Sequence, residues 1–272
     1  EQGRLPPLER SQAGQALAVL GDDRDLEELI HISAGPFWMG DDADSDAAPA
    51  HRVTLPAYKI GRFPVTNSQY RRFIEKTGRK WYSDDGQRVE KTTCPVTDIT
   101  WYDACAYCRW VTDLWRKEGK ISMDEVVHLP SEAQWEKAAR REDKRIYPWG
   151  DKWESARCNT YELGLGRSTP VGIFPESQSP YGCLDMAGNV WEWTRSLWGK
   201  DWEEPEFKYP YDPSDGREDD NAAAEILRVL RGGSWGSYRY FARCSLRLRF
   251  DPLSGSGDLG FRVAVSPISS VL

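Results

Sequence analysis

The stretch from Tyr147 to Asn221 constrains this chain more than any other part. Gly, Pro, Trp and acidic residues follow one another there with almost no periodicity. A segment of that length without helical or strand pattern fits a compact domain only if it is functional or ion-bound. Thirteen Trp occur in 272 residues, with 23 Gly and 17 Pro, which points to an irregular fold held by rigid rings rather than by long regular elements.

Around that stretch the periodic segments stand out. In residues 1–29, Leu8, Ala13, Ala16, Leu17 and Leu20 recur near helical spacing and stop at Gly21. This segment lacks the Trp-rich character of the rest, and the chain opens on Glu1 rather than Met. It reads as a linker helix from an upstream region, which implies further domains there; a helix docked on the main domain is the alternative. Residues 30–272 read as one domain. Three helices in it announce themselves by a capping Ser or Thr followed three residues later by a side chain that caps back: Thr66 with Gln69, Thr100 with Asp103, and Ser131 with Gln134. The first buries Tyr70, Phe73 and Ile74. The second carries Trp101, Ala104, Cys105, Cys108 and Trp115, and the third Trp135, Ala138 and Ala139. Short strands are expected in AGPFWMG, HRVTLPAYKIGRFPV, RVLRGGSW and GFRVAVS.

Charge and cysteine usage remove several function classes. Net charge is −7, with a pI near 5.2 and a mean hydropathy of −0.67, which argues against nucleic-acid and membrane partners. No apolar run reaches the roughly 18 residues of a membrane span. The six cysteines are too sparse for a disulfide scaffold, and Cys105 with Cys108 lacks the second pair or histidine of a zinc site. Buried free thiols in a cytoplasmic protein are expected. His31, His51 and His128 are spaced unlike a metal triad. Glu203, Glu204 and Glu206 read as solvated loop, and the C-terminal arginines as partners of the acidic excess. No P-loop, dinucleotide glycine motif or Ser-His-Asp arrangement occurs.

The ordered blocks GPFWMG (35–40), PAHRVTLPAYKIGRFPVTNSQYRRF (49–73), PVTDITWYDACAYCRW (95–110), LPSEAQWEKAAR (129–140), YPWG (147–150), YGCLDMAGNVWEW (181–193), RVLRGGSW (228–235) and GFRVA (260–264) resemble the formylglycine-generating enzyme family, the sulfatase-modifying factors. The resemblance covers almost everything after residue 32. It implies an α+β fold, the irregular C-type lectin-like variant with few short strands, about three helices and long ordered loops. Oxidase members of the family hold copper on two cysteines just after the GGS motif, as soft thiolates suit Cu(I). Here that loop reads GGSWGSYRYFARC: Ser237 and the neighbourhood of Ala242 stand where the cysteines belong, and Cys244 matches a structural position. The chain is therefore expected to be no enzyme and to hold no copper. The family's calcium ligands carry over onto Asp185, the carbonyls of Gly188 and Val190, and Glu192, oxygen donors of the kind calcium takes. A second, incomplete calcium set begins at Asn159 and Thr160.

Between RVLRGGSW and GFRVA lies the window 236–259. In the variable proteins of diversity-generating retroelements, which rewrite adenines of a template, mutable positions fall at this place. Rewriting of AAC-type codons cannot yield Lys, Glu, Gln, Met or Trp. The chain contains 54 residues of those five types, and none lies in the window, where an even scatter would put about five. Gly236, Ser237, Tyr238, Tyr240, Phe241, Leu246, Leu248, Phe250, Asp251, Leu253, Ser254, Ser256, Gly257 and Asp258 are the candidate variable, ligand-binding positions. Their Tyr, Phe, Ser and Gly content resembles a paratope. The expected function is noncatalytic binding of a protein or other macromolecular ligand; an ordinary noncatalytic relative and a formylglycine-generating-type oxidase are the alternatives. Leu246, Leu248 and Phe250 alternate with arginines, so either a half-buried strand or an exposed apolar face follows. The binding reading expects Tyr238, Tyr240, Phe241, Leu246, Leu248 and Phe250 to be exposed in one patch.

Overall fold

The computed structural model describes residues 5–271. Among these residues are four α-helices: α1 (Pro7–Leu20), α2 (Asn67–Thr77), α3 (Trp101–Lys117) and α4 (Glu132–Arg140). Of these, α2, α3 and α4 each open with both halves of a capping box, at Thr66/Gln69, Thr100/Asp103 and Ser131/Gln134, because the side chains satisfy backbone N–H groups that the first turn leaves orphaned. Helix α1 is docked rather than free. Its Ser11 and Gly14 are buried, a Cβ on Gly14 would stand 2.9 Å from Pro170, and Arg10 donates to the carbonyl of Ile173 at 2.9 Å.

Ten short strands form two sheets and a hairpin. Strands β1 (Leu29–Ile32), β4 (Tyr58–Gly61), β10 (Ala264–Pro267) and β5 (Glu125–His128) make one antiparallel sheet in the order β1-β4-β10-β5. Strands β2 (Gly35–Met39) and β3 (His51–Leu55) pair as the hairpin. The other sheet has the order β8-β7-β6-β9, built from β6 (Trp191–Gly199), β7 (Leu227–Arg231), β8 (Leu248–Phe250) and β9 (Leu259–Gly260), with β9 running parallel to β6. All nine residues of β6 are buried. The main core lies between α2, α3 and these sheets around Tyr70, Phe73, Trp101, Tyr107, Trp115, Trp193 and Phe261. A second cluster joins the hairpin to α4 through Phe37, Met39, Trp135 and Ala138.

Within the irregular stretch aromatic rings pack against one another. Tyr147 stacks on Trp149 at 5.2 Å and meets a tilted Trp153 at 5.1 Å, and Trp198 is fully buried. The six cysteines are unpaired, five of them buried and Cys105 half-buried. Glu203, Glu204 and Glu206 are exposed. Among the described residues no helix is long and apolar enough to cross a membrane.

Candidate functional site: the loop after the second sheet's central hairpin

Strand β7 ends in Gly232 and Gly233, both at positive φ. A Cβ on Gly233 would meet the carbonyl of Phe241 at 3.0 Å, so the loop can return close past this point only over glycine. The next residue, Ser234, is fully buried and acts as a hub: its Oγ donates to Asp258 at 2.7 Å and lies 2.9 Å from the Ser237 hydroxyl. The other oxygen of Asp258 accepts from Ser256 at 2.6 Å, and its carbonyl accepts from Trp191 N–H. The two ends of the window are thereby tied to each other and to β6.

Between those ties the window sorts by burial. Tyr238 is 56% exposed and Tyr240 48%, whereas Leu246 is 3% exposed and packed in the main core. Phe241, Leu248 and Phe250 are half-buried, with Phe241 edge-on to Trp191 and Phe250 against Trp193. The expected patch of six exposed apolar side chains is corrected to two exposed tyrosines, three half-buried residues and one core residue. The cause is Arg247. It is buried with Leu246, and its Nε and Nη2 donate to Glu132 at 2.7 and 3.0 Å, so the segment is pinned on both sides and β8 begins only at Leu248. Gly236, Leu253, Gly257 and, partly, Ser237, Asp251, Ser254, Ser256 and Asp258 reach the surface. Asp251 folds the tip by accepting from Leu253 N–H at 2.9 Å and from Ser254 Oγ at 3.1 Å.

Two exposed neighbours from outside the window extend this surface, and no local pattern pointed to them. The Tyr161 ring lies 4.7 Å from Tyr238, and the Tyr161 N–H donates to the Ser237 carbonyl at 2.9 Å. Trp202 sits edge-on to Phe250 and with Leu253 and Asp251 lines a groove of about 470 Å³. Both come together with the window only through long-range contacts. Beneath Tyr240, the Arg243 guanidinium stacks at 4.0 Å and bonds Asp44 at 2.8 Å, and the Tyr240 hydroxyl donates to the same carboxylate at 3.1 Å.

Where the sequence reading expects the family's copper cysteines, Ser237 spends its hydroxyl on Ser234, and Ala242 is buried in an apolar cluster with Tyr147, Cys158 and Ala187. The nearest thiol along the chain, Cys244, is fully buried, and burial pushes its pKa up to about 12. A protonated, enclosed thiol is a poor nucleophile and a poor metal ligand.

The calcium residues divide. Both oxygens of Glu192 are held, by Arg262 at 2.6 and 2.7 Å and by Trp135 Nε1 at 2.7 Å. The same Arg262 donates to the carbonyls of Leu184 and Asp185. A guanidinium is thus the counter-charge to Glu192, and each oxygen of that carboxylate already accepts a hydrogen bond. Asp185 accepts from Gly172 N–H at 2.6 Å, and burial raises its pKa to about 6. Gly188 and Val190 lie in the buried turn between them. Near the other set, Thr160 and Asn159 are buried, and Asn159 Oδ1 has no partner; its amide nitrogen donates to the Arg167 carbonyl at 2.9 Å. Among the described residues no three His, Cys, Asp or Glu side chains converge as metal ligands.

Comparison with known proteins fits this frame. The family model of the sulfatase-modifying factor enzyme 1-like domain matches residues 17–267. The inactive C-alpha-formylglycine-generating enzyme 2 of Mus musculus is 31% identical over 88% of this chain and 85% of its own length. The serine/threonine-protein kinase pkn1 of Chlamydia pneumoniae is 32% identical over 88% of this chain, which spans 38% of that protein. Among solved structures, Treponema denticola variable protein 1 superposes with a TM-score of 0.69 at 24% identity, covering 87% of this chain and 94% of the other. The shared fold is the irregular α+β, C-type lectin-like one.

Proposed function

From the premise that this chain belongs to the sulfatase-modifying factor enzyme 1-like family, we propose that it is a noncatalytic binding domain. Its 236–259 region recognises a protein ligand and is diversified by a retroelement. The observation that carries this reading is the window itself. It excludes all five residue types that adenine rewriting of AAC codons cannot reach, and Tyr238 and Tyr240 within it are exposed, Tyr238 beside Tyr161. Rigid tyrosines give contact area at low entropic cost, and the Ser234–Asp258 tie fixes the frame that presents them. Absence of any cysteine from residue 235 to 243 supports the lack of oxidase chemistry, since one remote, buried thiol cannot do the work of two thiolates. The deciding test is the DNA around the gene. A reverse transcriptase and an adenine-rich near-copy of the bases encoding 236–259 are expected, and their absence returns the chain to an ordinary noncatalytic relative. Copper-dependent turnover of a sulfatase-type Cys peptide would instead establish the oxidase.

The calcium reading is retained as a proposal at Asn159 and Thr160. Its support is the buried, unpartnered Asn159 Oδ1, a hard oxygen of the kind calcium takes. Asp185 and Glu192 lend it no support as they stand, because both Glu192 oxygens already accept from Arg262. Calcium added after chelation is expected to raise the melting temperature of the parent, as any ligand of the native state does, and not that of Asn159→Ala. No rise in the parent removes calcium from this protein.

A further inference from the structure

Residues 209–221 run as an irregular strap across β6 and the start of α4. The Arg217 carbonyl accepts from Leu197 N–H at 2.7 Å, the Tyr209 hydroxyl donates to Glu132 at 2.9 Å, and Tyr211 N–H donates to His51 Nε2 at 2.7 Å. Tyr209 and Tyr211 are buried beneath it with the hairpin and α4. The strap also carries a carboxylate, Glu218, whose two oxygens are treated differently. Oε1 accepts from the Ser196 hydroxyl at 2.7 Å and the Tyr211 hydroxyl at 2.8 Å, while Oε2 is buried without any hydrogen-bond partner.

Among the described residues Glu218 has no ion pair, because the charges around it are committed elsewhere. Arg195 on β6 is paired with Asp220 at 3.0 Å, and Arg217, on the strap itself, with Asp215 at 2.7 Å. From β7 the charge that acts on it is Arg228, whose Nη1 is held by the carbonyls of Arg195 and Asp219. Glu132 on α4 adds negative charge and is itself paired with Arg247. An ionised carboxylate with an enclosed, idle oxygen and no counter-charge in contact is less favourable there than a protonated one. Burial accordingly raises the Glu218 pKa from 4.5 to about 7. Opening the strap returns the group to water, so the closed form binds a proton that the open form gives up. The stabilisation of closure is complete below 4.5 and is lost as pH rises to 7.

We propose that Glu218 is a proton-operated latch: protonated, it lets the strap close over β6 and α4, and loss of that proton releases the strap. The release reaches further. Tyr209 lies against the Arg247 guanidinium at 4.4 Å, and the Phe207 carbonyl accepts from Arg247 Nη2 at 3.1 Å. Arg247 is the residue that pins Leu246 inward, so the latch bears on the base of the 236–259 window whatever that window binds. His51 on β3 works in the opposite sense, since its protonation as pH falls removes the acceptor of Tyr211 N–H.

Hydrogen exchange of the whole chain, corrected for the intrinsic pH dependence of amide exchange, tests this. It follows the Leu197, Tyr211 and Arg217 amides against those of α3 from pH 5.5 to 8. Strap opening is expected to increase about tenfold or more over that range, to level off above pH 7, and to exceed any change in α3. Glu218→Gln keeps an acceptor for both hydroxyls but has no proton to lose, and its strap opening is expected to be flat with pH. Tyr211→Phe removes a hydrogen bond to the ionised form and is expected to move the plateau to higher pH. The proposal is overturned by parent opening that is flat or grows as pH falls, by α3 opening in step with the strap, or by a folded Glu218→Gln with the parent's profile. Should Glu218→Gln fail to fold, an unmoved plateau in Tyr211→Phe overturns it.

Discussion

Three buried glutamates hold the C-terminal third of the chain to the rest. Glu136 pairs with Arg231, Glu132 with Arg247 at 2.7 Å and Glu192 with Arg262 at 2.6 Å, all within wholly or almost wholly buried surroundings. Glu132 also accepts from the Tyr209 hydroxyl at 2.9 Å and lies 3.5 Å from Arg217. Removing one member of such a pair leaves a buried charge uncompensated, so Glu132→Ala should cost about 3–5 kcal/mol in a denaturant titration. A loss under about 1 kcal/mol would mean that Arg247 finds another partner. Two other buried groups set opposite pH dependences. Burial lowers the pKa of His128 from 6.5 to about 4. The unfolded chain therefore binds the extra proton, and this stabilisation, present above pH 6.5, is lost as pH falls towards 4. Burial raises Asp185 from 3.8 to about 6, so the folded chain binds the proton and stability falls as pH rises from 4 to 6. Each effect is about 3 kcal/mol at full extent. Relative to the parent, Asp185→Asn should make stability climb with pH across that window and His128→Asn should make it fall. Parallel profiles for parent and variants would show that neither group is enclosed as described.

At the level of elements, what was legible in sequence is what is locally determined. Thr66, Thr100 and Ser131 predict their helices because a cap and its partner are three residues apart, and all three boxes form. Ser131→Ala should cost about 1 kcal/mol by thermal or chemical unfolding, and no change would mean that Gln134 alone satisfies the first turn. The longest strand, β6, was illegible for a physical reason. It is covered on both faces, so Trp191 to Gly199 shows no alternation and merges into the irregular stretch around it. The candidate surface was legible only in part. Tyr238 and Tyr240 follow the glycine turn and are exposed. The alternation from Leu246 misleads because Glu132, 115 residues away in the chain, draws Arg247 inward beside it. No window of local sequence contains that partner. The same holds for Tyr161, which joins Tyr238 through a ladder of loop contacts. One such contact is unforgiving: Gly188 has a φ of 74° and its Cβ would stand 2.3 Å from the Asn159 carbonyl.

For the molecule as a whole, the burial of the window decides which of its residues a diversifying system can rewrite without unfolding the scaffold. Tyr238, Tyr240 and Leu253 are exposed, and the Tyr240 hydroxyl donates to Asp44, which Arg243 already holds. Replacing all three with Ser should shift stability by less than about 1 kcal/mol, as surface changes generally do. Leu246 differs in kind. It lies in the core with Trp193, Leu230 and Phe261, and Leu246→Ala should cost about 2–5 kcal/mol through lost burial and the cavity left behind. Asp258 stands with Leu246, since both of its oxygens hold the loop ends together. If the window is diversified as proposed, sequencing it from many copies of the gene in one population should find Tyr238, Tyr240 and Leu253 varied, and Leu246 and Asp258 unvaried. Free variation at Leu246 alongside retained folding would overturn this sorting, because a scaffold cannot tolerate arbitrary side chains at a site with 3% exposure.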